Sequence, residues 1–225
     1  MNKTKIEWTD YTWNPVTGCL HDCPYCYARK ITKRFKQHYP GGFLPTFHPD
    51  RLGDPEKIKK PSKIFVVSMG DLFGAWVPYE WQRAVFEVVD KFPQHTFQFL
   101  TKNPEGMCVA FIKYWGGVVP NNVWFGQTVT KLGEEQPFDI DGGTAFISYE
   151  PLLGNCLGED DTIVDYFIPD WIIIGAQTNP FVRPDDLWVQ EIIDVAYHND
   201  IPVFLKDSIQ SYWPKRLRDF PEVGV

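Results

Sequence analysis

Cys19, Cys23 and Cys26 fall within eight residues, spaced C-x3-C-x2-C in the stretch 17–29. Thiolates this close in sequence can converge on one metal centre. A two-ligand hairpin needs only one C-x2-C pair, so the third cysteine is the informative one. Iron–sulfur clusters take cysteine thiolates, and four of them close a [4Fe–4S] cubane. Three from one loop leave one iron without a protein ligand. Two other readings stay open at this point. One is structural zinc with Cys3His ligation, since His21, His38 and His48 lie near, although no second ligand pair follows at the usual zinc spacing. The other is three unrelated thiols packed as small hydrophobes.

The elements that must position this loop follow from the apolar pattern. Residues 1–18 read as extended and turn-rich, delivering the chain into the cysteines, and residues 27–38 read as a helix rich in Arg and Lys. Residues 39–63 hold Pro40, Pro45, Pro49, Pro55 and Pro61, so an irregular loop or lid is expected there. Apolar runs then start at 64, 96, 123, 144, 171 and 202. Amphipathic helices are expected at 78–91, 104–115 and 184–198, the last with Leu187, Val189, Ile192 and Ile193 inward, and a short helical stretch after 128. Strands as continuous apolar runs with helices between them predict βαβ units and a parallel sheet. With the segment before Cys19 this makes six or seven strands. The expectation is a partial, open TIM-like barrel, with a doubly wound sheet as the alternative.

Each expected strand ends in polar groups: Ser68 and Asp71, Thr101 and Lys102, Gln127 and Thr128, Ser148 and Glu150, Gln177 and Thr178, Lys206 and Asp207. Carboxyl ends of parallel strands are where such folds build their sites. One such exit could be helix capping; six favour a shared polar cavity. Lys102 and Lys206 are the candidates for binding a substrate anion or moving a proton, because a lysine inside a cavity is costly unless used or paired. Glu150 could instead pair with a lysine of the barrel.

Composition bounds the rest. The 225 residues are expected to form one domain, with an N-terminal extension 1–11 and a short tail 207–225 that leaves little room for an added substrate domain. The 9 Trp, 10 Tyr and 17 Phe suggest aromatic layers or a stacking surface. No apolar run is long enough for a membrane span, and residues 1–8 lack the apolar core of a signal peptide. Five cysteines with no secretory signal fit a reducing, cytoplasmic setting. The net charge of −7 gives no global sign of nucleic-acid binding, but residues 29–36 carry five Lys/Arg, and Lys57, Lys59, Lys60 and Lys63 cluster before a strand. Cys108 reads as packing; Cys156 is a conceivable hydrogen-atom donor, with a bland role favoured.

The cysteine spacing, with Tyr25 just before the last cysteine, resembles the cluster loop of the radical S-adenosylmethionine superfamily, and the expected fold resembles that superfamily's six-unit partial barrel over about residues 12–206. Several stretches, among them 5–9, 12–19, 100–102, 149–154 and 171–175, are similar to a small uncharacterised family of phages and bacteria. The resemblance implies a [4Fe–4S] cluster on Cys19, Cys23 and Cys26, with S-adenosylmethionine chelated at the open iron and cleaved reductively to a 5′-deoxyadenosyl radical that takes hydrogen from substrate. It places Tyr25 beside adenine and sets Ser68, Gly70 and Asp71 where a Gly-Gly-Glu-like motif holds the methionine amino group. The same carry-over assigns Gln127 and Thr128 to the ribose, Ser148 and Glu150 to ribose or carboxylate, and Gly175 to Gln177 to the adenine. An electron donor such as flavodoxin or ferredoxin is implied. The substrate is left open between a small molecule and a nucleotide or nucleic acid, with loop 39–63 or a partner protein covering the cavity. The alternative from another class is a zinc-stabilised nucleic-acid-binding module without redox chemistry.

Overall fold

The computed structural model describes residues 1–138, 140–157 and 168–222; the last three residues of the expected tail lie outside these. In chain order the elements are β1 (Asn2–Lys3), β2 (Tyr11–Trp13), β3 (Val16–Thr17), α1 (Tyr27–Arg34), β4 (Thr46–Phe47), β5 (Lys63–Val66), α2 (Tyr79–Lys91), β6 (Thr96–Thr101), α3 (Pro104–Trp115), β7 (Val118–Thr128), β8 (Asp141–Tyr149), β9 (Trp171–Ile174), β10 (Gln177–Thr178), β11 (Phe181–Val182), α4 (Asp186–His198), β12 (Val203–Leu205) and α5 (Asp207–Gln210). Eight strands form one mixed, mostly parallel sheet in the order β1-β2-β5-β6-β7-β8-β9-β12. The α/β class expected from the apolar runs is the class observed.

The chain divides into two compact units, residues 1–124 with 140–143, and residues 125–139 with 144–225. In the first unit β2 runs parallel to β5, pairing Tyr11 with Ile64 and Trp13 with Val66, and β5 runs parallel to β6. Its core is aromatic. Phe73, Phe86, Phe99 and Phe111 meet at ring distances of 5.4 to 6.3 Å, with Trp8, Trp13 and Phe97 fully buried nearby. Each such ring stabilises the fold by about 1.5–3 kcal/mol relative to exposure, so many of the chain's aromatics serve packing, not a stacking surface. α3 follows the capping rules: the Asn103 side chain accepts from Gly106 N, Pro104 opens the helix, and the Gly116 N–H closes on Ile112 O.

The expected irregular stretch 39–63 is fastened to the first strands. β4 pairs antiparallel with β3, Trp13 Nε1 donates to Arg51 O at 2.8 Å, and Arg51 Nη1 donates to Asn14 O at 3.1 Å. α1 is shorter than expected and ends at Arg34. It buries only Ala28 and Thr32, so nothing apolar holds a further turn, and the cations at 33, 34 and 36 repel one another.

In the second unit β8, β9 and β12 run parallel, and α4 packs Val189, Ile192, Ile193 and Ala196 against Ile172, Ile174, Val203 and Leu205. Leu187, expected inward, is 61% exposed: it sits in the first turn, where its N–H bonds to the Asp185 cap while its side chain faces water. The helical stretch expected after 128 is absent among the described residues, because Gly133 adopts φ 83 and Pro137 closes the segment. The four-residue helix α5, directly after β12, is a further element that the apolar pattern does not mark.

Candidate functional site

In the first unit the cysteine loop is stitched to the carboxyl end of β5. Asn14 leaves β2 and its Oδ1 accepts from Met69 N at 2.8 Å, while its side chain also bonds the Ser68 hydroxyl. Gly18 N donates to Met69 O at 2.8 Å, and Gly18 bridges Gly70 in parallel. Gly18 holds φ 89, and a Cβ there would lie 2.2 Å from Leu44 O; a Cβ at Gly70 would lie 2.7 Å from Gly18 O. Only glycine fits both positions. Val67, at the end of β5, holds φ 59, an outlier for a β-branched residue that the Val67 N to Trp13 O bond of 2.7 Å helps to fix.

The loop then runs Cys19 to Cys26 into α1. All three thiols are half-buried and unpaired by disulfide. Backbone N–H groups point at two of the sulfurs: His21 N at Cys19 Sγ, 3.5 Å, and Arg29 N at Cys26 Sγ, 3.4 Å, so Cys26 is the N-cap of α1. Burial pushes the Cys19 thiol up to about 12; the His21 N–H opposes this, and Asp71, Cys23 and Cys26 add to it as nearby negative charge. Among the described residues no three His, Cys, Asp or Glu side chains gather as ligands of a single ion. A cubane makes a different demand, because each thiolate binds its own iron. Three half-buried thiols on one glycine-anchored loop, within electrostatic reach of one another and two of them already receiving N–H donors, are a donor set that suits a cluster.

His21 fastens the loop from the other side. Its Nε2 lies 2.8 Å from Asp71 Oδ2, and its ring meets Trp76 edge-on at 4.8 Å. Asp71 is 5% exposed and both of its oxygens are taken up. Phe73 N and Thr101 Oγ1 donate to Oδ1 at 3.0 and 2.8 Å, and Lys102 N donates to Oδ2 at 3.0 Å. Lys102 Nζ lies 5.8 Å from the centre of the Tyr25 ring, so β6 delivers this cation to the cysteine loop. The Tyr27 hydroxyl donates to Ser68 O. Of the histidines weighed as zinc ligands, His21 faces Asp71, and His48 Nε2 lies 2.9 Å from Thr17 Oγ1.

In the second unit Glu150 and Lys206 form an ion pair, at the ends of β8 and β12. A Cβ at Gly175 would lie 3.0 Å from Lys206 Cδ and 3.1 Å from Glu150 Cγ, so the glycine makes room for these two side chains. Gln127 is buried with its amide bonded both ways to the Gln136 backbone, at 2.6 and 3.0 Å, pinning the loop after β7. Thr128 ends β7 half-buried. Ser148 is 0% exposed and its Oγ has no partner among the described residues. Gln177 Nε2 donates to Pro180 O at 3.0 Å across the β10–β11 hairpin. Cys108 is buried in α3, and Cys156 is buried with its thiol pushed well up by burial and then by Glu135 and Glu134.

The structure thus joins Cys19, Cys23, Cys26, Tyr25, Ser68, Gly70, Asp71 and Lys102 in the first unit, and Glu150 with Lys206 in the second. Sequence reasoning missed Asn14, Gly18 and Thr101 as supports, and read His21 only as a metal ligand. The asparagine and glycine just ahead of the first cysteine were the available signal.

The arrangement is that of a TIM-like α/β fold of the kind found in radical S-adenosylmethionine enzymes. Three structures of one such enzyme are similar to the chain. Spore photoproduct lyase as a cysteine-to-alanine mutant with dinucleoside spore photoproduct matches with a TM-score of 0.55 at 11% identity, covering 95% of this chain and 76% of that one. A tyrosine-to-phenylalanine mutant matches with 0.55 at 9%, covering 91% and 78%, and the complex with dinucleoside spore photoproduct with 0.54 at 10%, covering 95% and 76%. At such identities the likeness is one of fold. No curated protein sequence matches. The chain belongs to the family described as "Protein of unknown function (DUF5131)", which matches residues 3–217.

Proposed function

We propose that the chain is a radical S-adenosylmethionine enzyme whose Cys19, Cys23 and Cys26 hold a [4Fe–4S] cluster. The observation that carries this reading is the loop itself: three half-buried thiols on one turn, anchored by Gly18 against Gly70 and by His21 against Asp71, in a fold shared over 95% of the chain with a radical enzyme. A cluster held by Cys19, Cys23 and Cys26 and reduced by an external electron carrier would supply the electron for reductive cleavage of S-adenosylmethionine, and so radical abstraction of hydrogen from substrate.

The chain's own residues then divide the work. Asp71 and His21 hold the loop; Ser68, fixed by Asn14, and Gly70 are the residues for the methionine part of the cofactor, and Tyr25 that for its adenine. Lys102, poised over Tyr25, supplies a positive charge for a carboxylate or phosphate beside the loop. In the second unit Thr128 and the Glu150 carboxylate are groups for sugar hydroxyls, while Gln127 and Gln177 shape the turns near them. Lys206 pairs with the Glu150 carboxylate and offers a second cation to an anionic substrate.

The test is anaerobic iron and sulfide analysis of reconstituted protein. It is combined with chromatography of S-adenosylmethionine after dithionite reduction, with a Cys19→Ala, Cys23→Ala, Cys26→Ala variant as control. About four irons per chain and 5′-deoxyadenosine that disappears in the variant are expected. About one zinc per chain with intact cofactor would overturn the proposal in favour of a binding module.

A further inference from the structure

From Cys23 to Pro49 the chain contains no carboxylate, yet it carries Arg29, Lys30, Lys33, Arg34 and Lys36. The whole chain has 22 Lys/Arg and 29 Asp/Glu, so the remaining residues hold 17 and 29. Outside the segment that leaves the cysteine loop, acidic residues outnumber basic ones, with Lys57 to Lys63 as a smaller basic cluster.

α1 presents these charges at a cost to itself. Lys30 and Arg34 are a like-charged pair four residues apart, and so are Arg29 and Lys33, although Asp22 pairs with Arg29; such pairs disfavour a helix. The first turn has no acidic residue and two cations, the wrong sign for a helix N-terminus. Lys33 and Arg34, in the last turn, suit the helix dipole, and Arg29 bonds the Asp22 carboxylate just ahead of the helix, while Lys30 stays exposed. A helix whose surface serves only solubility intersperses both signs; this one does not. Lys30, Lys33, Arg34 and Lys36 are exposed. Among them stands Phe35, 39% exposed, with the Arg34 guanidinium 5.4 Å from its ring centre.

We infer that the exposed face of α1 and its continuation through Lys36 is a docking surface for a single-stranded nucleic acid. The cations follow the phosphates and Phe35 with Arg34 offers a plane on which a base stacks, the combination that single-strand binders use. An acidic protein would use the cations but not the ring. A membrane surface would need a broader apolar face than one that buries Ala28 and Thr32 inward. Binding at this face does not require the cluster, so it stands apart from the reading above.

The experiment is fluorescence anisotropy of labelled oligo-dT and oligo-U against the whole chain, between about 50 and about 200 mM salt. Variant K33E/R34E/K36E is compared with K57E/K59E/K60E, which makes the same charge change in another segment, and with F35A, all checked for native circular dichroism. Micromolar binding is expected, weakened at least about tenfold by the first triple and less than about twofold by the second. The salt slope should fall by about 0.7 for each phosphate that is no longer neutralised. F35A should weaken binding by about fivefold or more, in keeping with the removal of one stacked base. Equal losses in both triples, unchanged binding in F35A, or binding to vesicles containing phosphatidylserine but to no oligonucleotide would each overturn the inference. Loss of iron with retained oligonucleotide binding would count against the enzyme reading alone.

Discussion

His21 Nε2 and Asp71 Oδ2 lie 2.8 Å apart, and through this contact a residue between two cysteines is held by a carboxylate fifty positions away. Asp71 also accepts the backbone N–H groups of Phe73 and Lys102, so one side chain ties the cysteine loop, the turn after β5 and the end of β6. Asp71→Ala is expected to lose about 2–3 kcal/mol of stability, because two buried N–H donors lose their acceptor. Asp71→Asn should fold and still loosen the loop. The measurement is the rate at which iodoacetamide alkylates the loop thiols in metal-free protein, followed by mass spectrometry. A several-fold rise is expected, and an unchanged rate would show that His21 does not restrain the loop.

Gly18 and Gly70 cannot be replaced cheaply. Gly18→Ala imposes φ 89 on an L-residue and drives a methyl against Leu44 O, and Gly70→Ala pushes against Gly18 O. A cost of about 1–3 kcal/mol is expected for each, read from the urea midpoint. Gly53→Ala, which meets nothing within 4 Å, should leave the midpoint within about 0.5 kcal/mol of the parent.

Glu150→Gln leaves the Lys206 ammonium without its carboxylate in a site where its side chain is 15% exposed. The single variant should be less stable than the double variant Glu150→Gln, Lys206→Met. A double-mutant cycle in chemical denaturation should give a coupling of about 0.5–3 kcal/mol. Zero coupling would mean that the two side chains do not act as a pair.

His95 is 1% exposed, and burial holds its pKa below the ordinary 6.5 despite the Ile58 and Pro55 backbone nearby; burial, then Arg51, does the same to His48. Below pH 6.5 the unfolded chain takes up protons that the folded chain still refuses, so stability falls as the pH drops from about 6.5 towards the depressed folded values. Above pH 6.5 these two histidines contribute no slope. Denaturation midpoints at pH 7.5, 6.5 and 5.5 should therefore decline only over the lower interval, and His95→Leu should flatten that decline.

Much of this architecture is legible in the sequence where one local rule suffices. α3 runs from Pro104 to Trp115 as read, because Asn103, Pro104 and Gly116 mark its ends. β6 and β9 begin at the expected residues, where apolar runs are bounded by polar ones. The three cysteines and the polar strand exits are legible for the same reason. What escapes depends on partners distant in sequence. No local pattern says that Asp71 receives His21 and Thr101 or that Gln127 pins Gln136; that Glu150 could meet a lysine of the barrel was legible, but not that the lysine is Lys206. The helix expected after β7 fails because Gly133 and Pro137 outweigh a weak apolar pattern. Leu187 fails because a first-turn position can satisfy its backbone while leaving its side chain in water.

Cys26 caps α1 through its sulfur, accepting from Arg29 N. The third thiol and the first turn of the basic helix are therefore one mechanical part. Oxidation of that sulfur to a sulfinic acid replaces a weak acceptor with a larger, charged one and forces the turn to rearrange. A helix of eight residues has little reserve against such a change. Oxygen damage to this loop would thus be transmitted as a change of shape along the charged segment, so that exposure to air leaves a structural mark well beyond the sulfur atoms it attacks.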